Sequence, residues 1–466
     1  MKRTAEQPLV RAGWSILTAL DDVEGWEVRL IFSATLMILV SAIAPGVSAQ
    51  TTDAPLTLED VAGIPSERPT FPQLDHPAIN YEIEAPADAV AVLNGRLLDG
   101  SAHLKFDGAG GYLQSLLDTL GVSVDTQLLV FSKASLQRKE IEPKNPRALY
   151  FADNIIVTFI RGAPLLEIAV QDHKQGMIFY VLEQKPVETA VLERGNGKCV
   201  NCHVTRTGMG MPGTINRSVA TQEDGWPLQR FGSYAVDHRS PLAQRWGGSY
   251  VTGITGAKHM GNTWIPGDEI PDALPDEVPP KFSSLAGQFD LAGYPTNQSD
   301  AAARLVFDHQ MHMMDLITRV GWDARVALHQ EPGGGDIVQA ILKNDALELV
   351  DYMLFVDEAD MADAVVAPSK FSKSFTAKGP RDRKGRSLRE LDLKTRVMRY
   401  PCSYMIYSAA FDALPAPAKD AIYSRLWDVL SGSERSEKYV RLASADRKAI
   451  VEILRDTKSD LPRYFR

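Results

Sequence analysis

The sequence predicts an α+β protein with a small antiparallel β-rich domain first, a segment with a cysteine–histidine motif next, and a mainly α-helical C-terminal domain last. Three observations predict this order. Short runs of β-branched and aromatic residues, separated by turn residues, occupy residues 127–182. The motif C-x-x-C-H follows at residues 199–203. From residue 299 onward, apolar residues recur at helical spacing.

Length and composition indicate a globular protein. A chain of 466 residues has room for about two to four domains. Hydrophobic residues make up 44% and charged residues 23% of the sequence, which is ordinary for a folded protein. The net charge of −9 gives no electrostatic reason to expect nucleic acid as a partner.

Residues 1–49 are predicted to be an export signal. Arg29 precedes a nearly continuous apolar run at residues 30–44, and small residues at 47–49 offer a cleavage site. The run is about 15 residues long, whereas a membrane-spanning helix needs about 20. The sequence therefore favours a cleaved signal and a periplasmic protein, and a membrane contact is expected only if the signal is retained as an anchor.

Residues 50–190 are predicted to form the β-rich domain. A Pro-rich start at residues 50–80 is expected to be extended, and a short amphipathic helix is predicted at residues 112–120. Strand-like runs follow, separated by turns such as Asp153-Asn154. The predicted strands are residues 127–131, 148–151, 155–160, 165–170 and 177–182.

The motif Cys199-Val200-Asn201-Cys202-His203 predicts covalent attachment of one haem c, so residues 191–262 are predicted to be a cytochrome c-like haem segment. The thiols of Cys199 and Cys202 would add to the haem vinyl groups, and His203 would be the proximal iron ligand. Two alternatives stay open. A structural zinc site usually needs four ligands, and the only other cysteine is Cys402. A dithiol redox motif would be expected in a βαβ context.

The sequence offers several candidates for the distal iron ligand. Methionine and histidine are both used in cytochromes c, and His259 or Met260 follows His203 by several tens of residues. The alternatives are Met209 or Met211, His238, a ligand elsewhere, or an open distal site. Each of these side chains can also be an ordinary core residue. Arg245 is a further candidate, as a partner of the haem propionates, although a structural role is more common.

Residues 263–298 are rich in proline and acidic residues and are predicted to be a linker. Residues 299–466 are predicted to be the helical domain, in which the first helix places His309 and His312 toward the interior. These histidines are expected to be core residues, with a metal site or a position of His309 near the distal side of the haem as alternatives. Further helices are predicted at residues 337–343, 345–359, 391–398, 416–430 and 445–456.

Several segments together resemble a known family. These are Val130-Phe131-Ser132-Lys133, Arg147-Ala148-Leu149-Tyr150-Phe151, Phe179-Tyr180-Val181-Leu182, Arg245-Trp246-Gly247-Gly248, His259-Met260-Gly261-Asn262 and Tyr400-Pro401-Cys402-Ser403-Tyr404. With C-x-x-C-H among them, the chain resembles exported bacterial mono-haem proteins described as cytochrome c domain-containing. The resemblance implies a haem c and no settled reaction.

Two classes of function are therefore expected. The first is electron transfer by a periplasmic mono-haem cytochrome with a protein redox partner. The second is a haem enzyme or gas-binding protein with an open distal site, so the sequence leaves enzymatic activity undecided. The basic residues 378–386 are expected to be a solvated surface, with docking of an acidic redox partner as the alternative.

Overall fold

The computed structural model describes residues 74–195, 197–204, 210–255, 258–267, 269–275, 278–361, 364–366 and 370–465. The predicted signal at residues 1–49 lies outside the described residues. All described residues belong to one compact unit. Its secondary structure confirms an α+β protein with an antiparallel sheet and a mainly helical C-terminal half.

The main sheet has seven strands, and every neighbouring pair is antiparallel. Its strands are β1 (Leu128–Val130), β2 (Arg147–Ala152), β3 (Ile155–Phe159), β4 (Leu165–Asp172), β5 (Gly176–Glu183), β6 (Glu193–Arg194) and β9 (Ser249–Tyr250). The spatial order is β6-β5-β4-β3-β2-β1-β9. The shorter strands are β7 (Arg217–Val219), which pairs with β8 (Ser233–Ala235), and β10 (Ile254–Thr255), which pairs with β11 (Val365–Val366).

Residues of the main sheet alternate between its two faces, and each face carries an apolar row that packs into a hydrophobic cluster. Tyr150, Val157, Ile168 and Tyr180 are paired across four strands and belong to one core cluster. The neighbouring row of Phe151, Ile156, Ala169 and Phe179 belongs to or packs against the other cluster. This double burial explains the nearly continuous apolar run of β5.

The helices are α1 (Ala89–Leu98), α2 (Leu113–Leu120), α3 (Lys198–His203), α4 (Ala301–Gln330), α5 (Asp336–Met353), α6 (Lys370–Ala377), α7 (Ala409–Asp412), α8 (Ala416–Ser431) and α9 (Ser444–Thr457). The first two cover the face that carries Tyr150. The predicted helices at 337–343 and 345–359 form one helix, α5, which ends before Phe355 and Asp357 take positive φ angles.

One predicted helix is wrong. Residues 391–398 form a tight hairpin instead, in which the N–H of Asp392 donates to the carbonyl of Val397 and that of Leu393 to the carbonyl of Arg396. Leu393 has a φ of 59°, which a helix does not allow. Apolar spacing alone therefore misidentified this segment.

The long helix α4 joins the helical half to the sheet. It begins at Asp300, whose side chain accepts hydrogen bonds from the N–H groups of Ala302 and Ala303. The ring centroid of Phe307 lies 5.1 Å from that of Phe151 on β2. The sheet and the C-terminal helices consequently share one hydrophobic core, which positions α4 beside the C-x-x-C-H motif.

The segment predicted as a linker lies against the sheet. Tyr294 is buried and donates a 2.7 Å hydrogen bond to the carbonyl of Pro146, and Leu285 is fully buried. The amide of Gln127 donates to the carbonyls of Thr296 and Gln298.

Among the described residues, no helix is both long enough and apolar enough to cross a membrane.

Candidate functional site

The short helix α3 carries all three residues of the predicted attachment site. Cys199 and Cys202 are three residues apart, so they lie on the same side of the helix. The thiol residue Cys199 is half-buried and Cys202 is exposed. Val200 and Val204 are buried and hold the helix to the core. The helix therefore carries both thiol-bearing residues on one side, and neither of them is fully buried.

The imidazole of His203 is held in one tautomer. Its Nδ1 lies 2.9 Å from the carbonyl oxygen of Gly213, which can only accept a hydrogen bond, so Nδ1 carries the proton. Burial lowers the pKa of His203, which favours the neutral ring. The other nitrogen, Nε2, is therefore left with a lone pair. A metal-bound histidine in proteins typically has this arrangement.

One aromatic contact and one backbone contact join α3 and the segment before it to β5. The ring of Phe179 on β5 lies 4.3 Å from that of His203, centroid to centroid. Gly195 donates its N–H to the carbonyl of Phe179, and a Cβ at Gly195 would come within 2.7 Å of the sulfur of Cys199. Only glycine at this position lets the thiol lie so close to the strand.

The sheet face next to His203 is only partly covered. Leu149, Thr158 and Glu167 lie in one row across β2, β3 and β4, and all three are half-exposed. Arg147 lies on the same face, is half-exposed, and its Nε has no hydrogen-bond partner. Arg147 lowers and Glu167 raises the pKa of His203, so both charges lie within electrostatic reach of the ring.

The predicted distal ligands lie in contacts of their own. His259 is buried beside Trp246, and its Nδ1 accepts the N–H of Gly261. Burial lowers the pKa of His259 to about 4. The sulfur of Met260 lies 3.7 Å from the hydroxyl of Ser218. No hydrogen bond or ring contact joins either residue to His203 within the described part of the chain.

The other methionine candidates differ. Met211 is buried in the same cluster as Val200 and Val204, directly after the motif, and supports α3 from the core side. Met209 lies outside the described residues.

His238 and His309 lie together in the helical half. Their Nδ1 atoms are 2.8 Å apart, and Nε2 of His309 lies 2.8 Å from the hydroxyl of Ser403. Both rings are fully buried, so the prediction of a core position for His309 is confirmed. His312 is half-buried, with its Nε2 3.2 Å from the guanidinium of Arg239.

Other predicted residues are engaged within the protein. The guanidinium of Arg245 is buried and donates to the carbonyls of His238 and Ser240 and toward Asp308, which explains its place in the core. Cys402 is fully buried, and burial raises its pKa to about 12. Cations of the basic segment pair with carboxylates, as in the contacts Arg383–Asp456, Lys384–Glu452 and Arg386–Asp382.

The two alternatives to haem gain no support from this geometry. Every strand pair in the described sheets is antiparallel, so the motif does not lie in a βαβ unit there. Among the described residues, no cluster of three or more His, Cys, Asp or Glu side chains is arranged to hold a metal ion.

Comparison with known proteins adds no relative: no family model, curated protein or solved structure matches this chain.

Sequence reasoning missed Gly213 and Phe179, which orient His203, and Arg147, which lies on the sheet face next to His203. A backbone carbonyl is the same in every residue type, so no residue-type signal could have identified Gly213. The aromatic residue in β5 was visible only as a strand former.

Proposed function

We propose that this chain is an exported mono-haem c-type cytochrome that transfers electrons in the periplasm. Haem c is bound to Cys199 and Cys202 through thioethers, with His203 as the proximal iron ligand. The observation that carries the proposal is the hydrogen bond from Nδ1 of His203 to Gly213, which leaves the lone pair of Nε2 for a metal ion on the same short helix that carries both thiols. When bound, the haem supplies one-electron chemistry at its iron.

The chain's own residues prepare the site. The Gly213 carbonyl fixes the tautomer and orientation of the His203 ring, and the Phe179 ring shields part of it from water. The export signal predicted at residues 1–49 supports the proposal, because this type of haem attachment requires an exported polypeptide. A protein redox partner follows from the proposed activity.

A second candidate function is a haem enzyme or gas-binding protein with an open distal site. The observation that favours it concerns the predicted distal ligands. The sulfur of Met260 contacts the Ser218 hydroxyl, and His259 is enclosed beside Trp246 and Gly261. Neither contact involves the motif helix.

The test is expression of the full chain in a host that matures c-type cytochromes, followed by mass spectrometry and absorption spectra with and without carbon monoxide. We expect one covalent haem and low-spin spectra that carbon monoxide leaves unchanged. Replacing Cys199 and Cys202 by serine abolishes covalent haem, whereas Cys402→Ala, which changes a thiol outside the motif, retains it.

The outcomes separate the proposals. High-spin spectra with rapid carbon monoxide binding would favour the second function. A colourless protein at the mass of the unmodified chain would contradict both.

A further inference from the structure

We infer that Asp315, in the middle of helix α4, is a positioning residue that tunes the His203 imidazole through the single peptide group between Gly213 and Thr214. The inference rests on the proposed function, because it assigns a role to Asp315 toward the proximal ligand. It concerns a residue 112 positions beyond His203 in the sequence.

The first step is the contact between the peptide group and His203. The carbonyl oxygen of Gly213 accepts a hydrogen bond from the N–H at Nδ1 of His203, with 2.9 Å between the oxygen and the nitrogen. The N–H of Gly213 donates back to the carbonyl of His203 at 3.3 Å, and Val204 forms a β-bridge with Pro212. The segment after the motif is thereby folded against the end of α3.

The second step is the contact between the same peptide group and Asp315. The N–H of Thr214 donates to Oδ1 of Asp315 at 2.9 Å. This N–H and the Gly213 carbonyl belong to one planar peptide unit and point in opposite directions. The Asp315 carboxyl oxygen thus accepts from the N–H of this peptide, and the carbonyl of the same peptide accepts from the imidazole N–H of His203. Hydrogen bonds in such a chain polarise one another and become stronger together.

The fit around this peptide is close. A Cβ at Gly213 would lie 2.7 Å from Oδ1 of Asp315, so the carboxyl group is pressed against the backbone. The hydroxyl of Thr214 lies 3.3 Å from the Met311 carbonyl and 3.4 Å from the same carboxyl oxygen. Helix α4 thus holds the peptide at two points.

Folding alone does not require a carboxyl group at this position. Asp315 is only 4% exposed, and a buried carboxyl group is costly unless it is neutral or paired. Burial raises its pKa to about 7, and the only groups that lower it are the N–H and hydroxyl of Thr214. No charged side chain of the described residues contributes to that shift. A neutral side chain would fill the space at lower cost, so the acid is explained by its effect on the peptide.

The expected consequence is electronic. An ionised Asp315 makes the Gly213 carbonyl a stronger acceptor, so the His203 ring gains electron density and stabilises the ferric state. Loss of that charge shifts the ferric/ferrous equilibrium toward the reduced form. A tenfold change in this equilibrium constant corresponds to a change of about 59 mV in the reduction potential of a one-electron couple.

The test uses the mature holoprotein and Asp315→Asn, whose amide oxygen still accepts the Thr214 N–H without a charge. At pH 8.5, where the wild-type acid is ionised, we expect the reduction equilibrium of the variant to shift about tenfold toward the reduced form. The Nδ1 proton of His203 in the ferrous protein should move upfield in NMR spectra, because its hydrogen bond weakens. A change of charge that acted only through space would not weaken this hydrogen bond, so the chemical shift of the Nδ1 proton would stay at its wild-type value.

One variant serves as the control. Asp345→Asn makes the same change at another buried acid, on α5, whose pKa burial also raises to about 7. It should retain the wild-type potential and the wild-type chemical shift of the Nδ1 proton.

If Asp315→Asn does not fold, the wild-type protein still decides the question. Its potential should fall as the pH rises through about 7, and the Nδ1 proton should move downfield over the same range. A holoprotein with covalent haem in which neither quantity changes would overturn the inference and leave the proposed function standing. Absence of covalent haem would overturn the proposed function itself.

Discussion

The imidazole rings of His238 and His309 lie against each other in the helical core, with their Nδ1 atoms 2.8 Å apart. One nitrogen must donate and the other accept, so both rings can be neutral at once. Burial lowers the pKa of each ring well below its usual value. The pair therefore joins the segment before the predicted linker to α4 by a buried neutral hydrogen bond.

Replacing His309 by leucine should destabilise the fold without changing the haem spectrum. The variant removes the partner of Nδ1 of His238 and leaves the Ser403 hydroxyl with the Met405 N–H alone, at a cost of about 1–3 kcal/mol for a buried group that loses its partner. Chemical denaturation measures the loss. His312→Leu is the control, because His312 is only half-buried and should cost less. A spectrum that becomes sensitive to carbon monoxide in His309→Leu would instead make His309 an iron ligand.

Replacing Gly195 by alanine should reduce covalent haem attachment. The added Cβ would lie 2.7 Å from the sulfur of Cys199, so the thiol must move away from β5. We expect a larger fraction of chains with a single thioether or none, measured by mass spectrometry. Gly95→Ala on α1 is the matched control, since a Cβ there meets no atom within 4 Å. Equal haem content in both variants would show that the position of the Cys199 sulfur does not limit attachment.

The sheet could be predicted from sequence, and the haem attachment prediction could be made from sequence, because both depend on residues close together in the chain. The turn at Asp153-Asn154, with aromatic residues before it and β-branched residues after it, defines β2 and β3 locally. Helix α4 likewise begins with a local cap at Asp300. The C-x-x-C-H spacing is itself the chemical requirement for attachment, so no fold was needed to identify it.

The rest of the site depends on distant contacts that no local pattern records. Thr214 and Asp315 are 101 positions apart, and their hydrogen bond exists only because α4 packs on the sheet. Arg245 was a candidate partner of the haem propionates, with a structural role as the commoner alternative, and its charge is paired with Asp308 inside the core. The hairpin at residues 391–398 has helix-like apolar spacing, and its backbone hydrogen bonds and the positive φ of Leu393 distinguish it from a helix.

Replacing Arg147 by glutamine should lower the reduction potential of the holoprotein. Arg147 lies on the half-exposed sheet face near His203, where its positive charge favours the reduced, less positive iron. The loss of one nearby charge is worth on the order of 1 kcal/mol. Arg161→Gln is the control, because Arg161 is already paired with Asp290 at 2.6 Å. Equal potentials in the two variants would exclude an electrostatic role for Arg147.

Asp345 should make the protein less stable as the pH rises from about 4 to about 7. Burial first, and the nearby Asp323 next, raise the pKa of Asp345 to about 7, and its Oδ2 has no hydrogen-bond partner. Between the unfolded pKa of about 4 and this value, the native state binds a proton that the unfolded state has lost. The stabilisation is complete below the unfolded pKa and is lost as the pH rises through the native pKa.

The measurement is the difference in unfolding free energy between Asp345→Asn and the wild type across pH 4.5–8. The buried histidines titrate in both proteins, so their opposite effect on stability cancels in this difference. The variant should gain stability relative to the wild type as the pH rises. Glu434→Gln is the control: Ser436 and Arg425 lower the pKa of Glu434 to about 2, so the difference for this variant should be constant above about pH 5.5, where the carboxyl is ionised in both states. A constant difference for Asp345→Asn as well would mean that its carboxyl group is solvated in the native protein.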